Sequence, residues 1–340
     1  MTPKIMIILG SGSDIAIANK AMDMLDKLEI PYSLKIASAH RTPNLVREIV
    51  TQGTAAGIEV FIGIAGLAAH LPGSIAAYTY RPVIGVPVDV KTAGIDALES
   101  IVQMPYPSPI ATVGIDRGDN AAILAAQFIG IHDEEIHQKV IKLRKDYAQK
   151  VIDSNENLVQ PINRPFLKND FIRVKDIEIN KAQFDEENSG CKNRDAEVAI
   201  IVGRQADVLT AKKITKLLDR LNITYDMKVV CPIRSNKKFI NYVKSMKNAK
   251  IFIGVSSNCS QVTGGLVGLT ARPVIGVPCT NENGDNYMLT CVSMPPGVPV
   301  ATVGINNGKN AAVLAGEICS IRNPEMVDIL EKLKDKKISF

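Results

Sequence analysis

Residues 36–45 read IASAHRTPNL, placing a histidine and an arginine side by side in a chain that has only four histidines. An imidazole that titrates near neutrality can give and take a proton, and a guanidinium can fork two hydrogen bonds onto a phosphate. Such a pair also occurs in ordinary solvated turns, so its position in the fold decides between the readings. Two further stretches have comparable potential. In Gly10-Ser-Gly-Ser-Asp14 the glycines let the backbone approach an anion, and the hydroxyls of Ser11 and Ser13 can donate to it. Ser13 or Asp14 could equally cap a helix. In Ala65-Gly-Leu-Ala-Ala-His-Leu-Pro-Gly73 the small side chains of Ala65, Gly66 and Ala68, with Leu71 beyond them, could form a wall against a flat ring. His70 would either take part directly or orient backbone.

These groups depend on the elements that carry them. Short apolar, β-branched runs at Ile5–Leu9, Ser33–Ala37, Val60–Ala65, Val83–Val86 and Ile110–Val113 predict strands. Helical spacing fills the intervals, notably Ile15–Leu28 and Leu45–Ala55. Alternation of this kind predicts parallel βαβ units, hence an α/β chain of flavodoxin-like three-layer (αβα) domains, each with a parallel, doubly wound sheet. Ligands of such sheets lie beyond the carboxyl ends of the strands. All three stretches follow a strand, so all three belong to that edge. Thr42 and Pro43 read as N-cap and first helical residue, leaving Ser38, His40 and Arg41 in the turn above the sheet. The first loop lacks the third glycine of a dinucleotide fingerprint and the Gly-Lys-Ser/Thr of a P-loop, which disfavours NAD and ATP there.

The chain is written twice. RPVIGVP at 81–87 recurs at 272–278 and ATVGI at 111–115 recurs at 301–305, while Gly10 and Asp14 correspond to Gly203 and Asp207. The domains expected are 1–155 and 196–340, joined by a linker over 156–195 with a short extended piece near 171–179. A helix running from His132 to about Asp153 extends the first domain. At the three loops the second copy has diverged. GSGSD becomes Gly203-Arg-Gln-Ala-Asp207, Ser38-Ala-His-Arg41 becomes Cys231-Pro-Ile-Arg234, and Gln261 stands where His70 does. Both histidines are gone, so the second copy is expected not to catalyse. It could serve assembly, be a decayed copy, or bind another anion at Arg204 and Arg234.

Composition narrows the function classes. The net charge of +5 is modest, and the cations are scattered among acids, so no nucleic-acid stripe is indicated. The longest apolar region, Val60–Val88, is interrupted by His70, Pro72, Arg81 and Pro82 and is too broken for a bilayer span. With no signal-like start, a cytoplasmic protein is expected. The six cysteines form no CxxC pair and read as reduced apolar residues. His132 and His137 are five apart on a charged helix. They cannot share a face as metal ligands and are expected on a solvated surface.

In order and spacing, GSGSD, SAHRTP, AGLAAHLPG, RPVIGVPV and SIVQMP resemble the PurE family of de novo purine biosynthesis, across residues 3–150. The second copy is similar mainly in its frame. The resemblance implies an enzyme that converts N5-carboxyaminoimidazole ribonucleotide to 4-carboxy-5-aminoimidazole ribonucleotide without metal or cofactor. Relatives that instead carboxylate aminoimidazole ribonucleotide directly with CO2 carry lysine after SAH and lack HLPG, so Arg41 and His70-Leu-Pro-Gly73 favour the mutase. Carried over, His40 is the proton shuttle with His70 nearby, Ser11, Ser38 and Arg41 hold the phosphate, and Asp14 holds the ribose. The segment from Ala65 to Leu71 holds the base and the CO2. The resemblance also implies a homo-oligomer, here a tetramer of two-domain chains imitating an octamer. The rival reading is a nucleotide-binding module without catalysis.

Overall fold

The computed structural model describes residues 2–156 and 191–338, so all but the ends of the expected linker, including the piece near 171–179, lies outside the described residues. Copy one runs β1 (Ile5–Leu9), α1 (Ile15–Lys27), β2 (Tyr32–Ile36), α2 (Pro43–Ala55), β3 (Val60–Gly66), α3 (Leu71–Ala77), β4 (Val83–Val88), α4 (Ile95–Val102), β5 (Ala111–Thr112), α5 (Gly118–Ile129) and α6 (Glu134–Glu156). Copy two repeats this as β6 (Val198–Val202), α7 (Val208–Arg220), β7 (Tyr225–Val229), α8 (Asn236–Ser245), β8 (Ile251–Ser256), α9 (Gln261–Leu269), β9 (Val274–Pro278), α10 (Met288–Val292), β10 (Ala301–Thr302), α11 (Gly308–Cys319) and α12 (Pro324–Ile338). The strand order within copy one is β2-β1-β3-β4-β5, and copy two mirrors it. This is the flavodoxin-like order, with the switch point between β1 and β3. Strands β1, β3 and β4 are buried almost throughout, as near-continuous apolar runs covered by helices on both faces should be.

The two half-sheets are continuous. β5 and β10 pair antiparallel through Thr112 and Thr302, joining both copies into one ten-stranded sheet that is parallel everywhere else. Helices α5 and α11 lie along this seam, and apart from Asp119 and Lys309 in their first turns every residue of both is buried. That accounts for their apolar, alanine-rich sequences, since a helix without a polar face must be enclosed. One hydrophobic core runs through both copies, and a smaller cluster of Leu98, Val102, Met288 and Val292 packs α4 against α10. Close helix packing depends on two glycines. A Cβ on Gly118 would lie 2.2 Å from the Ile17 carbonyl oxygen, and one on Gly308 2.5 Å from that of Thr210.

Polar contacts cross the seam in reciprocal pairs, the signature of a two-fold interface. Asn120 donates to the carbonyls of Met294 and Pro295, and Asn310 to those of Met104 and Pro105. Arg81 donates to Ile321 (2.8 Å) and Arg272 to Gly130 (3.2 Å). Arg144 of α6 donates to the carbonyls of Val267 and Thr270, while Lys334 of α12 donates to those of Ala76 and Thr79. The pairing is not fully symmetric. Gly297, at φ 91°, lies against the Tyr147 ring so closely that a Cβ would stand 2.7 Å from Cδ2. Copy one has Pro107 at the corresponding position, so Tyr147 fits copy two and not a second copy one.

The seam also overturns one expectation. His137 is buried and His132 half-buried, not solvated, and burial depresses the pKa of both. Helix α6 presents two stripes. Ile136, Val140 and Leu143 face its own copy, whereas His137 and Ile141 line a cleft with Phe252 and Arg272, and Arg144 binds α9. The charged residues around the histidines suggested solvent, but a second copy lies there.

Glu317 is the symmetry counterpart of Gln127, whose amide donates to the Ala271 carbonyl. The Glu317 carboxyl is 1% exposed, its Oε1 lies 3.0 Å from Lys334 Nζ, and its Oε2 has no partner. Burial raises its pKa to about 7, against the opposing pull of Lys334. A raised carboxyl pKa means stability present at low pH and lost as pH rises from about 4.5 through 7. The loss is roughly 3 kcal/mol. Glu317→Gln should remove that fall in stability between pH 5 and pH 8, as measured by denaturant titration.

Candidate active site

Three strand-to-helix loops of copy one and the end of β4 enclose a cavity of about 500 Å³. After β1, Gly10 donates to the Ile64 carbonyl (3.0 Å), tying the first loop to β3. Ser11 is extended, and its hydroxyl accepts from the Ser13 N–H, setting residues 12–14 in a 3₁₀ turn before α1. Neither Ser13 nor Asp14 caps α1 with its side chain. Asp14 is buried, and burial raises its pKa against a 3.0 Å hydrogen bond from the Ser13 hydroxyl and a backbone bond from Ser11.

The second loop is closed by its own side chains. Thr42 is the N-cap residue of α2 and Pro43 opens the helix, as the sequence indicates. The Thr42 hydroxyl turns backward, accepting from Ser38 N–H (2.9 Å) and donating to the Ser38 carbonyl (3.1 Å). The Ser38 hydroxyl accepts from the backbone N–H and Nε of Arg41, and an Nη of Arg41 reaches the Gly10 carbonyl at 3.3 Å. Arg41 thereby straps the first and second loops together beside the hydroxyls of Ser11 and Ser38. His40 stays exposed at the turn.

The third loop leaves β3 through Gly66. Leu67 and Ala69 both take positive φ (57° and 31°), a left-handed conformation that costs non-glycine residues free energy and clusters where a chain is shaped for a ligand. Ala65, Gly66, Ala68 and Leu71 line the cavity, and His70 stands at its mouth. The His40 and His70 rings are 5.5 Å apart between centroids, with planes inclined by 18°.

All eleven residues singled out from the sequence line this cavity: His40, His70, Ser11, Ser13, Asp14, Ser38, Arg41, Ala65, Gly66, Ala68 and Leu71. Sequence reading missed Val90 as a lining residue. A Cβ on Gly66 would lie 2.5 Å from its methyl group. Val90 carries no motif, but the pairing of β3 with β4 brings their carboxyl ends together, and that adjacency is the signal that points to it. The arrangement has a charged strap between two hydroxyl-bearing loops at one side, a wall of small apolar groups, and two imidazoles at the mouth. It can hold a phosphorylated compound and move protons on it. Among the described residues, no three His, Cys, Asp or Glu side chains converge as a metal-holding group.

Copy two keeps the frame of this site and changes the side chains around it. Arg234 reaches the Gly203 carbonyl at 3.0 Å, the same strap as Arg41 to Gly10. Arg204 follows Gly203 and carries its own counter-charge. It donates to Glu282 (2.8 Å), Asn258 (2.7 Å) and Ser257 (3.4 Å). Arg204 thus has a carboxylate partner in Glu282, whereas Arg234 reaches a backbone carbonyl.

Comparison with known proteins agrees with this duplication. A model of the family described as AIR carboxylase matches residues 4–150 and again 197–339. The chain is 68% identical, over all of both chains, to the "Probable N5-carboxyaminoimidazole ribonucleotide mutase" of Methanobrevibacter smithii. It is 53% identical over 154 residues to the "N5-carboxyaminoimidazole ribonucleotide mutase" of Methanocaldococcus jannaschii, covering 45% of this chain and 96% of that one. Among solved structures, Treponema denticola PurE matches 46% of this chain and 98% of its own, at 31% identity and a TM-score of 0.43. Matched by the family model in both copies, the chain belongs to the AIR carboxylase family.

Proposed function

We propose that the chain is an N5-carboxyaminoimidazole ribonucleotide mutase of purine biosynthesis, with its chemistry in copy one. The observation that carries the reading is the single cavity that gathers His40, His70, Arg41 and the serine hydroxyls of two loops. Ser11, Ser38 and Arg41 hold the phosphate, Asp14 the ribose hydroxyls, and the segment from Ala65 to Leu71 the base. The carboxylate then moves from N5 to C4 in two steps. His40 protonates N5, the N–C bond breaks, and CO2 is released into the pocket. C4 attacks that CO2 through its electron-rich ring, and His40 takes the C4 proton, which restores its starting state. Water is kept away by the small apolar wall, so the CO2 is retained. No cofactor enters this scheme.

Incubation with the carboxyamino substrate, with and without bicarbonate, tests the reading. Carboxylation at C4 without bicarbonate is the expected result. A requirement for CO2, starting from aminoimidazole ribonucleotide, would instead assign direct carboxylation, and binding without any conversion would leave a nucleotide-binding module.

Copy two (196–340) serves assembly and copy one (1–155) catalysis in this proposal, with four chains building an eight-domain homo-oligomer in the cytoplasm. Support comes from the apolar side chains left exposed near the outer strands, Ile36 (55%), Leu45 (47%) and Ile233 (69%). The six free cysteines suit a reducing compartment. Substrate titration should give one site per chain in a particle of four chains, whereas two sites per chain would show that copy two is also competent.

A further inference from the structure

The two ends of the seam differ in charge. On α7, Lys213, Lys216 and Arg220 stand where α1 has Lys20, Asp23 and Lys27, and Lys309 at the start of α11 stands where α5 has Asp119. In copy one the charges are mixed: Asp119 pairs with Arg117, and Lys20 donates to the Asp116 carbonyl (3.1 Å). In copy two both acids have become lysines. Spacings of three and four put Lys213, Lys216 and Arg220 on one face of α7, where like charges repel. Together with Lys309 they line a cavity of about 510 Å³, floored by Leu217 and closed across the seam by Tyr106 of copy one. Among the described residues no carboxylate lines it, and none of the four cations forms an ion pair with another described residue. The Lys309 ammonium lies 5.3 Å from the centroid of the Tyr106 ring.

We infer that this seam cavity binds a nucleotide-sized polyphosphate, a nucleoside di- or triphosphate, with its phosphates among Lys213, Lys216, Arg220 and Lys309 and its base against Tyr106 and Leu217. Four cations exceed what one phosphate neutralises and match a chain of two or three. The volume is close to that of the active-site cavity, to which a ribonucleotide is assigned above. The divergence of copy two thus includes a gain as well as the loss of its histidines. Because Tyr106 comes from one copy and the cations from the other, a bound polyphosphate favours the closed seam and raises the melting temperature by mass action.

Calorimetric titration of the full chain at low salt with ATP, inorganic tripolyphosphate and adenosine tests the assignment. Expected are saturable binding of ATP and tripolyphosphate, weakening with added salt, and none of adenosine alone. Lys216→Asp with Lys309→Asp, which installs the copy-one residues, should weaken ATP binding about tenfold or more while leaving turnover and the melting temperature without ATP unchanged. Should the double variant fold poorly, Lys216→Gln alone should show a smaller loss. Arg41→Ala should leave ATP binding intact, which separates this cavity from the catalytic one. Three results would each overturn the inference: no saturable ATP binding, undiminished binding by the double variant, or a change in its assembly mass, which would make the cations a contact between chains.

Discussion

Replacing His40 by asparagine should lower turnover by about three orders of magnitude while substrate affinity changes only a few-fold. Positioned general acid–base catalysis contributes about 10²–10⁴-fold, and in the proposed reaction one imidazole acts twice, first as acid at N5 and then as base at C4. Asparagine keeps much of the shape and polarity and can carry no proton at all. The side chain sits on the exposed turn of a loop fixed by Ser38, Arg41 and Thr42, so the fold should not register the change. The checks are steady-state turnover and equilibrium binding of the substrate. Full activity in His40→Asn would move the shuttle to another group, with His70 the immediate candidate since its ring lies 5.5 Å away.

Arg41→Ala should show the opposite division, with KM raised about 10–100-fold and kcat altered much less. Charge-assisted hydrogen bonds to an anion contribute about 1.5–3 kcal/mol. A phosphate remote from the reacting carbon is held alike in ground and transition states, so its loss appears in KM. Arg41→Lys should restore only part, because an ammonium cannot form the fork. The strap from Arg41 to the Gly10 carbonyl predicts a modest fall in melting temperature too, measured alongside. A kcat effect as large as that of His40→Asn, with unchanged KM, would remove the phosphate from Arg41.

Much of this site is readable in the sequence because each of its loops follows directly on a strand. β1 ends at Leu9 where the apolar run ends, and Pro43 marks the start of α2. Once the loops are on one sheet edge, His40, Arg41 and His70 must be neighbours. The seam is legible only in hindsight. β5 and β10 are two residues each, too short for any periodicity, and their pairing joins positions far apart in the chain. The one local hint lay in α5, whose apolar residues surround the helix and so require cover on every side. The positions of His132 and His137 were misread for the same reason. A helix face that meets another copy through histidines and an arginine looks, in sequence, like one that meets water. Val90 was missed because adjacency of strand ends is a property of strand order, not of composition.

The continuous sheet bears on dilution. Separate subunits meeting at such a seam part when their concentration falls below the dissociation constant. Here both faces lie on one polypeptide, so each sees the other at an effective concentration that does not depend on how much protein is present. The fit of Tyr147 to Gly297 and not to Pro107 then favours the pairing of copy one with copy two over that of copy one with another copy one. Activity that relies on this seam should therefore hold steady at protein levels where an enzyme assembled from single-domain chains would already be falling apart.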